Sequence, residues 1–275
     1  SLVRLFKVFL LLLLLLFIGY VFVYPWFIPI EPLKRKNPRL TAMMEYRLKQ
    51  WEREGKKIEI KQIWVPLNRI SPYLIKAVLI AEDDKFYKHS GFDFEAIKRA
   101  LEKNLKEGKI KYGGSTITQQ TAKNLFLSPS KNPVRKIQEA ILAYRLEKTL
   151  GKKRILEIYL NIAEWGLGIF GVEAAARFYY HKPSSALNPW EAARLAAVLP
   201  NPLKYNPLEK SPFVEKRAHL IYFIMKKRGV IKEEYQEEIK EKETPPEEDS
   251  KVQTQVNPME GQVEEVKPEE SPSKP

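Results

Sequence analysis

Residues 8–30 carry no charged side chain. A helix rises about 1.5 Å per residue, so a run of that length crosses the roughly 30 Å hydrocarbon core of a bilayer. Residues 10–16 are an unbroken leucine run, and Tyr20, Tyr24 and Trp26 cluster toward one end, where an aromatic belt would lie. The rival reading is a cleaved signal peptide, whose apolar stretch is shorter and ends at small residues. Here the run ends in Tyr-Pro-Trp-Phe-Ile-Pro, so an uncleaved anchor is expected. Arg4 and Lys7 precede the run, whereas Lys34, Arg35, Lys36 and Arg39 follow it. Positive charge alone therefore leaves the orientation open. The division expected at this end is a short N-terminus over 1–7, a membrane helix over 8–30 and a juxtamembrane segment over 31–56.

The remaining chain is long enough to bury a core in one domain. There is no cysteine among the 275 residues, which excludes disulfides, thiolate metal sites and cysteine nucleophiles. His89, His181 and His219 are the only histidines, too few for a multi-histidine metal centre. The formal net charge is +13. Residues 241–275 hold ten acids against four lysines, leaving the preceding 240 residues at +19. That tail also holds six prolines and few large apolar side chains, a composition that predicts disorder. A basic body seeks an anionic partner: nucleic acid, acidic lipid or a phosphorylated substrate.

Residues 57–240 read as one mainly α domain. Several helices are marked by a capping residue followed by proline at the first helical position. Ser71-Pro72 opens one running to about Glu82, and Asn132-Pro133 opens one ending before Gly151. Asn188-Pro189 opens a third, with Glu191 completing a capping box, and Ser211-Pro212 opens the last, ending at Gly229. Phe94, Ile97, Leu101 and Leu105 recur at helical spacing. Residues 57–65 are rich in Ile and Val and predict a short strand.

Four segments could carry chemistry. Glu82-Asp83-Asp84 places three acids where the first helix ends. Acids there oppose the helix dipole and destabilise it unless something uses them. A carboxyl beside apolar walls has a raised pKa, which suits a general base; the bland reading is a solvated helix end. Gly113-Gly114-Ser115-Thr116, continuing to Gln119-Gln120 and Lys123-Asn124, presents backbone N–H groups at a helix start, a ready anion site. It lacks the spacing of a nucleotide P-loop, and an ordinary loop with an N-cap reads equally well. Arg135, Lys136 and Glu139 share a helix face: a surface ion pair, or a carboxylate with two cations aimed at a phosphate. Residues 153–161 lead to Glu164-Trp165-Gly166, and their apolar spacing favours core packing. Ser128-Pro-Ser-Lys131 and Ser271-Pro-Ser-Lys274 match Ser-x-x-Lys but lack its companion motifs, so both are chance.

Taken in order, these segments resemble peptidoglycan glycosyltransferases of family 51. The resemblance rests on Glu82-Asp83-x-x-Phe86-x-x-His89-x-Gly91, then residues 113–120, then Arg135-Lys136-x-x-Glu139. It continues through Arg154-Ile155-Leu156-Glu157-x-Tyr159-Leu160-Asn161 and His181-Lys182-Pro183-x-x-x-Leu187. It covers roughly residues 37–229. Asn161-Ile-Ala-Glu-Trp-Gly, Phe170-Gly-Val-Glu-Ala-Ala-Ala and Leu199-Pro-Asn-Pro are similar to its monofunctional biosynthetic branch.

The resemblance implies a lysozyme-like helical glycosyltransferase domain behind one N-terminal transmembrane helix. The implied reaction polymerises lipid II into β-1,4 glycan strands and releases undecaprenyl diphosphate. Glu82 would be the base for the acceptor hydroxyl, and Glu139 the second carboxylate, near the donor diphosphate. Lys123, Lys131, Arg135 and Lys136 would hold that diphosphate. Asp83, Phe86, His89, Gly114, Ser115, Thr118, Gln119, Gln120 and Asn124 complete the implied substrate-binding set. Inversion in one displacement needs no covalent nucleophile, and none is apparent. No tightly bound cofactor is expected; a divalent cation, Mg²⁺ or Mn²⁺, could share the diphosphate charge, although no all-protein cage for it is visible.

The implied partners are lipid II with the growing lipid-linked glycan, the bilayer, and other cell-wall synthesis proteins, with no nucleic acid. The implied location is the bacterial inner membrane, single-pass, with the catalytic domain outside the cytoplasm. Two other readings stand beside this one. A lysozyme-like lytic enzyme would cut glycan with Glu82 as acid, and a membrane-tethered scaffold would use the tail for binding and carry out no chemistry.

Overall fold

The structure is a computed structural model that describes residues 2–108, 114–130 and 132–231, within a unit spanning Ser1–Gln236. Gly113, Lys131 and the acidic tail over 241–275 lie outside the described residues.

The apolar N-terminal stretch begins as α1 (Leu2–Ile18), which buries no side chain. A π turn over Gly19–Val23 follows, and then α2 (Tyr24–Phe27). The helix therefore starts earlier and stops sooner than the uncharged run suggests: residues 2–7 are helical, and Ile28 is already extended. Ile28 precedes Pro29, and a residue before proline is pushed out of the helical region. Among the described residues, this is the one helical stretch long and apolar enough to cross a membrane.

The junction with the domain has a local cause. In the π turn Tyr24 N–H bonds Gly19 O. The next donor would come from Pro25, which has no N–H. Tyr20 O is left open and accepts instead from the Gln138 side-chain amide, at 2.9 Å. Arg145 donates to the carbonyls of Pro25 and Ile28, and its guanidinium stands 5.8 Å from the Trp26 ring centroid. Arg154 donates to Leu33 O and Lys36 O at 2.8 and 3.1 Å. Three side chains thus grip the chain as it leaves the apolar helix.

Past the anchor come α3 (Ala42–Arg53), β1 (Lys61–Gln62), α4 (Pro72–Glu82), α5 (Phe94–Glu107), α6 (Ile117–Phe126), α7 (Pro133–Leu150) and α8 (Lys152–Ile162). Then follow β2 (Glu164–Gly166), β3 (Ile169–Phe170), α9 (Val172–Tyr180), α10 (Pro189–Val198) and α11 (Pro212–Lys227). The four proline-started helices form where expected, and Asn188 with Glu191 closes the capping box at α10. The strand expected over 57–65 shrinks to two residues. It pairs parallel to β3, which runs antiparallel to β2. Gly171, at φ 82°, turns the chain into α9; a Cβ there would lie 2.6 Å from Asn161 O.

The core lies around α8, whose Ile155, Leu156 and residues 158–162 are all buried. Helix α6 packs on α7 and α8, while α10 packs on α4 and α11. These contacts set the ends of α4, α6, α7 and α11 around one region. Helix α5 forms at the predicted spacing but leaves its stripe uncovered: Phe94 is 76% exposed and Leu105 74%.

Candidate active site

The three acids at the end of α4 are each used differently. Asp83 turns inward, accepts the Ile117 backbone N–H at 3.0 Å and faces His89 Nε2 at 2.8 Å. Gly91 N–H donates to His89 Nδ1, so the ring proton sits on Nε2 and is donated to Asp83. A carboxylate on the first turn of α6 complements that helix's N-terminal dipole. Asp84 takes a bidentate pair from Arg228 at 2.5 and 2.9 Å. Glu82 remains, its side chain 12% exposed. Gln120 Nε2 donates to Oε2 at 3.0 Å and Arg217 Nη2 to Oε1 at 3.2 Å. Burial pushes the Glu82 carboxyl above the usual carboxylate range, and Gln120, Arg217 and Lys123 hold it back in part.

Helix α6 carries the second segment. Thr116 and Gln119 form its capping box, and the Thr116 hydroxyl also bonds Gly91 O at 2.6 Å. Thr118 donates to Glu147 at 2.6 Å. Gln119, Thr118 and Asn124 are buried, so these residues knit the helix into the fold, whereas Gln120 reaches Glu82. Gly114 sits where a Cβ would come within 2.8 Å of Ile97 Cα. Phe86 is buried under the Lys152 ammonium, 4.3 Å above its ring. A cavity of about 190 Å³ opens beside Glu82 and Asp83 and is lined also by Arg99, Gly114 and Ser115.

Helix α7 supplies the third segment. Glu139 is buried and pairs with Arg135 Nη1 at 2.7 Å and with the Lys136 ammonium. Lys136 also donates to the Ser115 hydroxyl at 3.0 Å, which brings this cluster against the start of α6. Lys123 lies in the fields of both carboxylates. Burial holds its ammonium below the usual lysine range, Arg135 and Lys136 add to that, and Glu139 and Glu82 oppose it. Glu82, Gln120, Lys123, Arg135, Lys136 and Glu139 therefore form one electrostatic unit; Lys131 lies outside the described residues.

Two members are not among the expected site residues. Arg217 sits on α11 between buried Val214 and Ala218, and an arginine inside an apolar helical stripe signals a buried carboxylate. Tyr159, on the segment read as core, is fully buried, yet its hydroxyl donates to Gln120 Oε1 at 3.2 Å. Among the described residues no group of three or more His, Asp or Glu converges to hold a metal.

A transglycosylase family profile matches residues 50–226. The chain belongs to the transglycosylase family. Relatives agree. A biosynthetic peptidoglycan transglycosylase of Nitrosospira multiformis is 47% identical over 209 residues, covering 75% of this chain and 91% of its own. One from Aromatoleum aromaticum is 54% identical over 169 residues, 62% of this chain and 74% of its own. One from Dechloromonas aromatica is 48% identical over 189 residues, 69% and 78%. The transglycosylase match begins in α3 and ends in α11, so it includes Glu82, the α6–α7 cluster, Tyr159 and Arg217 and leaves out the apolar N-terminal helix. This transglycosylase is an enzyme with the lysozyme-like helical fold.

Proposed function

We propose that the enzyme polymerises lipid II into β-1,4 glycan strands by a single inverting displacement, with Glu82 as general base. The observation that carries this reading is that Lys123 lies in the fields of both the largely buried Glu82 carboxylate and the cation cluster around Glu139. Glu82 takes the proton of the acceptor sugar's 4-hydroxyl. The freed oxygen bonds the donor's anomeric carbon, and the bond from that carbon to the diphosphate breaks. The leaving charge meets Lys123, Arg135 and Lys136. A positioned base contributes about 10²–10⁴-fold to rate, and preorganised cations stabilise the departing diphosphate further. Desolvation keeps the Glu82 carboxylate a stronger base than one in water.

Both Glu139 oxygens accept from cations, Arg135 and Lys136. A second carboxylate for cutting glycan would address a water, so this pairing favours a phosphate-binding role over a lytic one. A polyprenyl-linked donor stays in the bilayer, so the reaction belongs at its surface. The anchor α1–α2 and the +19 body suit that place, with residues 1–7 in the cytoplasm and the domain on the outer face of the inner membrane.

The test is purified full-length protein with lipid II. Polymer appears with release of undecaprenyl diphosphate, and preformed glycan is left intact. Cutting of preformed glycan without polymer would establish the lytic reading, and neither activity would leave a scaffold.

A further inference from the structure

The Gln120 amide can present either end to Glu82. Its nitrogen end donates to an ionised carboxylate, whereas its oxygen end repels one and suits only the protonated acid. As placed, Nε2 faces Glu82 Oε2 at 3.0 Å and Oε1 accepts from the Tyr159 hydroxyl at 3.2 Å. Tyr159 comes from α8, around which the core lies, and is itself fully buried. Gln120 Oε1 is the one acceptor its hydroxyl has among the described residues. Turning the amide over would strand that O–H in the core, and an unmade buried hydrogen bond is costly.

We infer that Tyr159 is a positioning residue for the proposed reaction: it locks the Gln120 amide with its donor toward Glu82 and so keeps the base in its proton-accepting form. The inference rests on Glu82 being the base. Four groups face that carboxylate: Arg217 from α11, Lys123 and Gln120 from α6, and Tyr159 from α8, with Asp83 beside it in sequence. Burial first, and then the nearby Glu82 and Asp83 charges, push the Tyr159 phenol well above its ordinary value. The hydroxyl thus keeps its proton and remains a donor throughout the working pH range. Arg217 and Lys123 supply charge, but neither selects which end of Gln120 faces the base.

The sign follows. Removing the hydroxyl lets the amide turn, Glu82 loses a donor, and its pKa rises. The base is then protonated over a wider acid range, so the rising limb of the rate–pH profile moves to higher pH. One neutral hydrogen bond shifts an equilibrium by roughly 3- to 10-fold, which is about half to one pH unit.

The experiment uses full-length protein and lipid II and compares Tyr159→Phe, Gln120→Met and the double variant, with Glu82→Gln as control. Tyr159→Phe is expected to move the rising limb up by about half to one unit and to lower kcat below the limb by roughly 3- to 10-fold, with KM for lipid II unchanged. Gln120→Met, whose side chain is only half-buried, should shift the limb in the same direction without entering the core. The double variant should match Gln120→Met alone, because the hydroxyl acts through that amide. An unshifted limb in Tyr159→Phe with only a lower unfolding temperature overturns the inference, as does a further loss on adding Tyr159→Phe to Gln120→Met. A Glu82→Gln enzyme that keeps the rate and the limb overturns the base assignment instead, and the inference falls with it.

Discussion

Glu139→Gln tests the cation cluster at its most buried point. The Glu139 carboxylate is 2% exposed. Its partners differ: the Arg135 side chain is 16% exposed and that of Lys136 48%. Breaking a buried pair by removing one charge costs about 3–5 kcal/mol. The half-exposed Lys136 contact adds little, and glutamine keeps one acceptor for Arg135. The low end, about 3 kcal/mol, is therefore the expected loss. For a body of roughly this size that lowers the unfolding midpoint by about 6–12 °C. The substitution also removes the carboxylate that holds up the Lys123 pKa, already depressed by burial. Lys123 must be protonated to meet a phosphate, so activity falls as pH rises through its pKa, and that falling limb should move to lower pH. The rising limb tied to Glu82 should stay where it is. Polymerisation itself should drop on the order of 10²-fold, as for loss of a preorganised charge contact. Thermal unfolding by circular dichroism and a rate–pH profile on lipid II read both effects. A midpoint within about 1 °C of wild type, or an alkaline limb that does not move, would refute the buried-cluster account.

Gln138→Leu removes the donor that serves Tyr20 O in the π turn; one unmet carbonyl costs about 1–3 kcal/mol, visible as a lower unfolding midpoint in detergent, and an unchanged midpoint would show that the anchor is not held this way. In spheroplasts, added protease should digest the chain after Lys34 from outside; a protected domain would reverse the proposed topology.

What could be read in advance was local. A cap residue followed by proline marks a helix start through a few neighbouring atoms, and α4, α7, α10 and α11 begin as expected. The charge spacing of Arg135, Lys136 and Glu139 likewise closes within one helix. The anchor's end was less legible, because Pro25 permits a π turn and Pro29 ends the helix inside a run that hydropathy alone would continue. The helical spacing of Phe94, Ile97, Leu101 and Leu105 predicted α5, but spacing does not say what covers a face, and this one is open. The roles of the acids were hidden for another reason. Asp83 is used by a helix start 34 residues away, and Glu82 by Arg217 at a separation of 135. Tyr159 was indistinguishable from a packing residue, since its ring does pack and only its hydroxyl reaches the site.

The central claim is that Glu82 takes the acceptor's proton, and the Glu82→Gln enzyme assayed for lipid II polymerisation across pH tests it most directly. Glutamine keeps the shape and can still accept from one of Gln120 and Arg217, so the fold should hold, with an unfolding midpoint a little below that of wild type. The rate should fall by at least about 10²-fold. The rising limb, set by ionisation of a carboxyl whose pKa burial has raised, should vanish with it. Polymerisation at near wild-type rate, with the rising limb intact and the fold unchanged, would contradict the assignment.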